Sequence, residues 1–387
     1  MTESPSPGKY FPLLRWYGAS AFFGLPQAAA PITFSLATLK MTGRAEDGAA
    51  MILAMTVAQI IGVIPITRGA KRYPSGAIVR ALIVWRAFAL LALAICIQLK
   101  WPFAVLIIFS ALAGLANGAA YGHLRALLNA LVSPNSMPRA LGVAATINEL
   151  VYVLTPIAAT MMASVSPAFT VLMIAVASVV PAILISSSAP APVPTREKRA
   201  PLYRALLFAW LTCAICGGAT VAVIEVGAVS LALRYGYEPT SAILFTLPLC
   251  VAAILGGTWF AWRNQLGSHD GVLIQLSLMS LGSALVAWAD APLIAIMGAA
   301  IVGMVLAPLG AHLTLILEAI APVERRPEAF ALLRTANALG IIFGSASLAI
   351  LGVTLAFKVI SFFLVLATML AYLLPRPSIT SQRHVTL

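Results

Sequence analysis

Runs of about 20 apolar residues follow one another along almost the whole chain, and each is long enough to cross a hydrocarbon core. Inside lipid every backbone amide must be satisfied within its own segment or a closed barrel, so runs of this length dictate helices. The pattern places them near 11–37, 46–66, 75–98, 101–125, 141–163, 167–187, 204–233, 239–262, 271–289, 291–317, 329–350 and 353–374. The expected fold is therefore an all-α membrane protein with twelve transmembrane helices, six in each half. Charge agrees: 9% of residues are charged, against roughly 25% in soluble domains.

The two halves are related. His123 to Leu150 recurs without a gap at His312 to Leu339, 189 residues on, with nine identities. They are His123/His312, Leu124/Leu313, Leu128/Leu317, Ala130/Ala319, Pro138/Pro327, Ala140/Ala329, Thr146/Thr335, Asn148/Asn337 and Leu150/Leu339. The same offset pairs Pro12, Leu13 and Arg15 with Pro201, Leu202 and Arg204. Ala and Leu match by chance in membrane helices; shared His, Pro, Thr and Asn are harder to dismiss. A membrane unit written twice is the architecture of alternating-access transporters, with a substrate site between the repeats. The expected domains are 1–187 and 204–387, joined by the Ser/Pro/Ala-rich and then basic linker 188–203.

The net charge of +12 is topogenic. With the N-terminus inside, 18 of the 24 Lys and Arg fall on the cytoplasmic side and five outside (Lys40, Arg44, Lys100, Arg234, Lys358), leaving Arg86 alone within a span. This positive-inside bias puts both termini in the cytoplasm and argues against nucleic acid as a partner. The polar lead Met1–Lys9 runs into the first span without a signal-peptide cleavage pattern. Cys213-x-x-Cys216 lies inside a span with no further ligand nearby, so it reads as packing rather than a metal site. No phosphate-cradling loop, zinc spacing or Ser/His/Asp set appears; neither cofactor nor enzymatic activity is expected. Energy must then come from an ion gradient or the substrate's own gradient. Prolines inside spans (Pro26, Pro31, Pro156, Pro248, Pro308) free backbone carbonyls at fixed kinks or at moving parts.

Twelve spans, a direct repeat and a basic central linker resemble the major facilitator superfamily over essentially the whole chain. Ser133-Pro134-Asn135-Ser136-Met137-Pro138-Arg139-Ala140-Leu141-Gly142 is similar to the family's loop after the fourth span, and Val323-Glu324-Arg325-Arg326-Pro327-Glu328-Ala329-Phe330 is its partner in the second half. Glu149 through Thr155-Pro156 resembles bacterial members with an acidic residue ahead of Gly-Pro in the fifth span; here only the Pro of the antiporter pattern is kept. The family's loop between spans two and three is Gly-x-x-x-Asp-Arg-x-Gly-Arg-Arg. The chain has Ile66-Thr67-Arg68-Gly69-Ala70-Lys71-Arg72, with Thr67 in place of the carboxylate. The resemblance implies two pseudo-symmetric six-helix bundles that rock about a central site, bordered by the seventh helix, with the third helix as scaffold.

Acidic residues inside spans are two, Glu149 in the fifth and Glu225 in the seventh. An ionised group at mid-bilayer costs about 2.5–3.5 kcal/mol even on the permissive scale, so it faces a partner or a watery cavity. Gly142, Thr146, Glu149, Val153, Pro156 and Thr160 share one small, polar, kinked face. Glu149 and Glu225 are the candidates for proton coupling; a structural ion pair is the alternative for Glu149. Arg86 reads as structural, with a buried Arg86–Glu149 pair as its simplest arrangement. Gln27, Gln59, Asn117 and Tyr152 are candidates for substrate binding, or equally for joining helices. The matched His123 and His312 read as symmetric packing before proton shuttling; His269 and His384 fall in a loop and a tail. Across the repeat Arg125 aligns with Thr314, Asn129 with Glu318 and Arg139 with Glu328. Arg125, Arg139, Glu318 and Glu328 are thus expected to form a cytoplasmic gate of salt bridges; solvated charge worth ~0–1 kcal/mol is the alternative.

The sequence reads as a proton-coupled secondary transporter of the bacterial inner membrane, its partners a small-molecule substrate, protons and the bilayer, with no obligate protein partner. With Arg86 as the only intramembrane cation, export of a neutral or cationic amphiphile is the first reading. Uptake of a small polar solute is the second, and a non-transporting membrane assembly or chaperone protein the third.

Overall fold

The computed structural model describes residues 10–42, 47–185, 204–264 and 269–374. The expected linker 188–203, the lead Met1–Lys9, Arg44 and His384 lie outside them. The described residues are helical throughout, with short turns: α1 (Tyr10–Thr42), α2 (Asp47–Gly69), α3 (Ser75–Gln98), α4 (Phe103–Leu115), α5 (Asn117–Leu131), α6 (Met137–Val165), α7 (Pro167–Ala177) and α8 (Val180–Leu184). After the linker come α9 (Arg204–Arg234), α10 (Ile243–Arg263), α11 (His269–Trp288), α12 (Pro292–Ile320) and α13 (Arg326–Leu373). The fourth expected span is α4 and α5 in succession, with Ala116 between them, and the sixth is α7 and α8.

Eleven stretches among the described residues are long and apolar enough to cross a bilayer. One of them, α13, has 48 residues, about 72 Å at 1.5 Å per residue, more than twice a core of about 30 Å. It breaks at Gly352, whose φ of 71° and ψ of 168° lie in a region essentially reserved for glycine. The two spans expected at 329–350 and 353–374 are the two arms of this broken helix.

Two compact units emerge from the packing. The first holds Met1–Pro134, Ile147–Thr195 and Phe330–Thr335; the second holds Asn135–Thr146, Arg196–Ala329 and Ala336–Leu387. Each draws mainly on one half of the chain and takes a short helical stretch from the other.

Inside each unit the closest helix pair is built on glycine. In the first, a Cβ on Gly114 of α4 would lie 1.9 Å from the Met55 carbonyl oxygen of α2, and one on Gly62 2.4 Å from that of Leu115. In the second, a Cβ on Gly303 of α12 would lie 2.1 Å from the Leu249 carbonyl oxygen of α10, and one on Gly256 2.0 Å from that of Met304. Small residues let membrane helices approach to backbone contact, where dispersion is strongest. The two crossings are the same crossing: Gly114 and Leu115 precede Gly303 and Met304 by 189 residues, whereas Met55 and Gly62 precede Leu249 and Gly256 by 194. The repeat thus extends beyond the segment where it aligns without a gap, with five extra residues upstream.

The first unit's apolar core lies where Ala30, Phe34, Met51, Met55, Leu90, Leu93, Leu106 and Val171 meet, joining α1 to α4 and α7. In the second, the Asn264 side chain closes the end of α10, accepting from the Arg139 amide at 2.9 Å and donating to the Asn135 carbonyl at 3.0 Å. Asn264 takes the left-handed conformation (φ 45°), which Asn tolerates better than most residues.

Candidate functional site

The first unit contains a polar chain of side chains within otherwise apolar helices. Gln59 of α2 is fully buried, 1% exposed, and its Oε1 accepts two hydrogen bonds, from Asn117 Nδ2 at 2.9 Å and Gln27 Nε2 at 3.1 Å. Asn117 is the first residue of α5, directly after Ala116, whose own backbone stays helical (φ -79°, ψ -20°). On the far side, Arg86 Nη1 of α3 donates to Asn117 Oδ1 and to the Phe23 carbonyl, both at 3.0 Å. At the near end, Arg334 Nη2 of α13 donates to Gln27 Oε1 and, at 2.8 Å, to the Tyr152 hydroxyl of α6. The order is therefore Arg86, Asn117, Gln59, Gln27, Arg334, Tyr152. The structure brings all four candidate binding residues into one network and caps it with two arginines.

Arg86 is 4% exposed. Two charge-assisted hydrogen bonds, each worth about 1.5–3 kcal/mol, offset its membrane cost of about 2.5–3.5 kcal/mol. Its guanidinium also lies 4.4 Å from the Phe23 ring centroid, a cation–π contact of roughly 0.5–2 kcal/mol. The expected Arg86–Glu149 pair is not formed: Arg86 finds an amide oxygen and a carbonyl instead. Its Nε and Nη2 are left without a partner among the described residues. A cavity of about 10 Å³ beside it, lined by Pro26, Gln27, Met55, Arg86, Leu90, Ala113 and Asn117, has room for about one water.

Arg334 corrects the sequence reading. It was counted among the cytoplasmic cations, yet it sits inside the eleventh span, half-buried, with its guanidinium 5.4 Å from the Tyr121 ring. Its position six residues into the 329–350 run was the available signal. These hydrogen bonds of Arg86 and Arg334 run to neutral oxygens. The expected export of a neutral or cationic amphiphile was argued from Arg86 as the one cation within a span; Arg334 is a second cation within an apolar helix.

Glu149 is half-buried on α6, one turn before Tyr152. Glu225 is exposed on α9, three residues before the end of the apolar stretch Leu206–Ala228. Thr67, standing where the family carries an Asp, is 2% exposed and donates its hydroxyl to the Val63 carbonyl at 2.6 Å.

Of the gate candidates, Glu318 is ion-paired at 3.2 Å with Arg326, a residue that had no part in the expected gate. Arg125 donates to Asn129 Oδ1 at 3.1 Å and lies 4.9 Å from the Phe330 ring centroid. Arg139 is exposed, and Glu328, at the start of α13, is 6% exposed. The matched histidines occupy matched places. His123 Nδ1 is 3.2 Å from Ser75 Oγ of α3, and His312 Nδ1 is 2.8 Å from Gln275 Oε1 of α11. His312 also meets Phe260 edge-on, 4.9 Å between centroids. His269, expected in a loop, begins α11 and is buried against Trp210, 6.0 Å between ring centroids. Cys213 donates to the Ala367 carbonyl at 3.6 Å.

Comparison with known proteins fits this architecture. The family model of the Major Facilitator Superfamily matches residues 16–345. The chain belongs to that superfamily of membrane transporters. No curated protein sequence matches it significantly. Among solved structures it is similar to a bacterial homologue of the iron transporter ferroportin in its outward-facing state (TM-score 0.78, 15% identity, 94% of this chain and 98% of that one). It is similar also to the E. coli fucose:proton symporter FucP (0.73, 11%, 94% and 98%). A third is the human organic anion transporter TETRAN (0.70, 12%, 95% and 100%). At these identities the likeness is one of fold.

Proposed function

We propose that the chain is a secondary active transporter working by alternating access, which holds a small solute on the polar chain ending at Arg334 and Tyr152 and couples its movement to protons through Glu149, Glu225 or both. The observation that carries this reading is the convergence of Gln27, Gln59, Asn117 and Tyr152 with two arginines in an otherwise apolar chain. Polar groups are expensive in a bilayer and collect where a substrate or water passes. Export of a small amphiphilic molecule is the first reading of direction, supported by the Phe23 and Tyr121 rings beside the network. Uptake of a small polar solute is the second, favoured by its amides. The basic bias of the sequence favours a bacterial inner membrane with both termini cytoplasmic. Arg125 and Arg139 are proposed to exchange partners with Glu318 and Glu328 during the cycle; Arg139→Glu rescued by Glu328→Arg would support this, and failed rescue would count against it.

The test is flux into proteoliposomes carrying an imposed pH gradient and an internal pH dye, against a solute library. Solute-dependent proton movement lost in Glu149→Gln or Glu225→Gln is the expected result. Solute flux indifferent to the gradient and to both substitutions would remove the coupling. A protein that binds and moves nothing would instead fit a non-transporting assembly role.

A further inference from the structure

We infer that the end of α10 carries a site for an anionic phospholipid, with its phosphate on Arg263 and its first acyl carbons against Trp259 and Trp262. α10 has 21 residues, about 31 Å at 1.5 Å per residue, so its last turn reaches the boundary of a hydrocarbon core of about 30 Å. There Trp259, Trp262 and Arg263 line an open groove of about 520 Å³. Trp262 is 78% exposed and Trp259 47%; three residues apart, they share a helix face. Arg263, four residues after Trp259, holds its guanidinium 5.3 Å from that ring's centroid. A ring contact of this kind steadies the charge and uses none of the five N–H donors. Those donors suit phosphate oxygens. A groove at this depth, with aromatic walls and a cation at its rim, matches the two ends of a phospholipid.

Charge selects the headgroup. The start of α6 is fixed to the same helix end: a Cβ on Gly142 would lie 2.6 Å from the Ala261 amide nitrogen, and the Arg139 amide donates to Asn264 Oδ1 at 2.9 Å. Arg139 is itself exposed and is thereby a second cation at this end. The first carboxylate after it on α6 is Glu149, ten residues on, about 15 Å along the axis. The first after Arg263 is Asp270, whose carboxylate is 3.9 Å from His269 Nδ1. On α12, which packs against α10, Glu318 is ion-paired with Arg326 at 3.2 Å. A net negative headgroup gains from both arginines, whereas the choline of a zwitterionic lipid would be brought up against them. The groove is also not part of the common repeat. At the shift of 194 residues that relates Met55 and Gly62 to Leu249 and Gly256, the residues matching Trp259, Trp262 and Arg263 are Pro65, Arg68 and Gly69 of α2. The helix crossing that both halves share therefore does not require the aromatic pair.

The test is native mass spectrometry of the full chain in a nonionic detergent. Phosphatidylglycerol and phosphatidylcholine with the same acyl chains are compared, with glycerol 3-phosphate as the free headgroup. One phosphatidylglycerol should bind saturably and in preference to phosphatidylcholine, and glycerol 3-phosphate should not bind. Arg263→Gln should weaken that lipid about fivefold, and Arg263→Lys, which keeps the charge and loses the planar fork, by less. Trp262→Ala should weaken it by about two- to tenfold. Arg68→Gln removes an exposed cation at the corresponding end of α2 and should leave the lipid in place. Equal binding of phosphatidylcholine, or binding of free glycerol 3-phosphate, would overturn the inference. A loss in Arg68→Gln as large as that in Arg263→Gln would do the same, since it would mark diffuse attraction to basic surface. So would undiminished binding in both Arg263→Gln and Trp262→Ala, whose exposed side chains can be removed without touching the core.

Discussion

Replacing Gly303 by Ala tests the packing argument most directly. The added Cβ would stand 2.1 Å from the Leu249 carbonyl oxygen, where ordinary contact begins near 3.4 Å. The obstacle is main chain, so no rotamer change relieves it, and α10 and α12 must part by about 1 Å or more. A radial gap of 0.5–1 Å forfeits a quarter to a half of each contact's well depth, and the loss runs along the seam to Gly256 and Met304. Overpacking of this kind costs about 1–3 kcal/mol; with backbone as the obstacle the upper end, about 2–3 kcal/mol, is expected. Gly310 is the control. It lies seven residues further along α12, in a helix interior with nothing within 4 Å of a built Cβ. There Ala should stabilise by up to about 1 kcal/mol through helix propensity alone. Thermal unfolding of the two purified variants against the parent reads the difference, which should exceed 2 kcal/mol with opposite signs. If Gly303→Ala melts at or above the parent, the backbone contact between α10 and α12 is not what the structure depicts.

Gly352→Ala should destabilise by about 1–3 kcal/mol although no neighbour is within 4 Å, because its φ of 71° is strained for any side chain; Gly352→Asn should cost no less, and unaltered melting of both would show the break is not fixed there. Gln59→Leu leaves the buried amides of Gln27 and Asn117 without their common acceptor, a loss of roughly 1–2 kcal/mol for two membrane hydrogen bonds. Gln59→Leu should melt below the parent accordingly; unchanged melting would refute the shared-acceptor role.

Much of the fold was legible because the bilayer imposes a length on every helix. The expected 75–98 span is α3, Ser75–Gln98, to the residue, since Pro74 and the polar Lys100 bracket an unbroken apolar run. Where the run carries no punctuation, the pattern of 101–125 gave no hint that α4 and α5 meet at Ala116. The four polar binding candidates were legible as exceptions to an apolar rule. Their mutual bonding was not, because it depends on helix rotation. Arg334 was missed for a different reason: near a span's end a cation normally reaches the interface, and only the structure shows it turned inward to Gln27 and Tyr152. The glycine crossings were hidden since 27 glycines look alike until a neighbouring carbonyl marks out those, Gly62, Gly114, Gly256 and Gly303 among them, that sit at backbone contact.

That crossing has a mechanical consequence. Where carbonyl oxygens nest in the notches of Gly256 and Gly303, axial sliding of one helix by even a single residue would drive an oxygen onto a neighbouring side chain. The pair α10–α12, like α2–α4, is thereby keyed against shear and acts as a stiff double beam. Whatever deformation a transport cycle demands must be absorbed elsewhere, at proline bends and at joints such as Gly352.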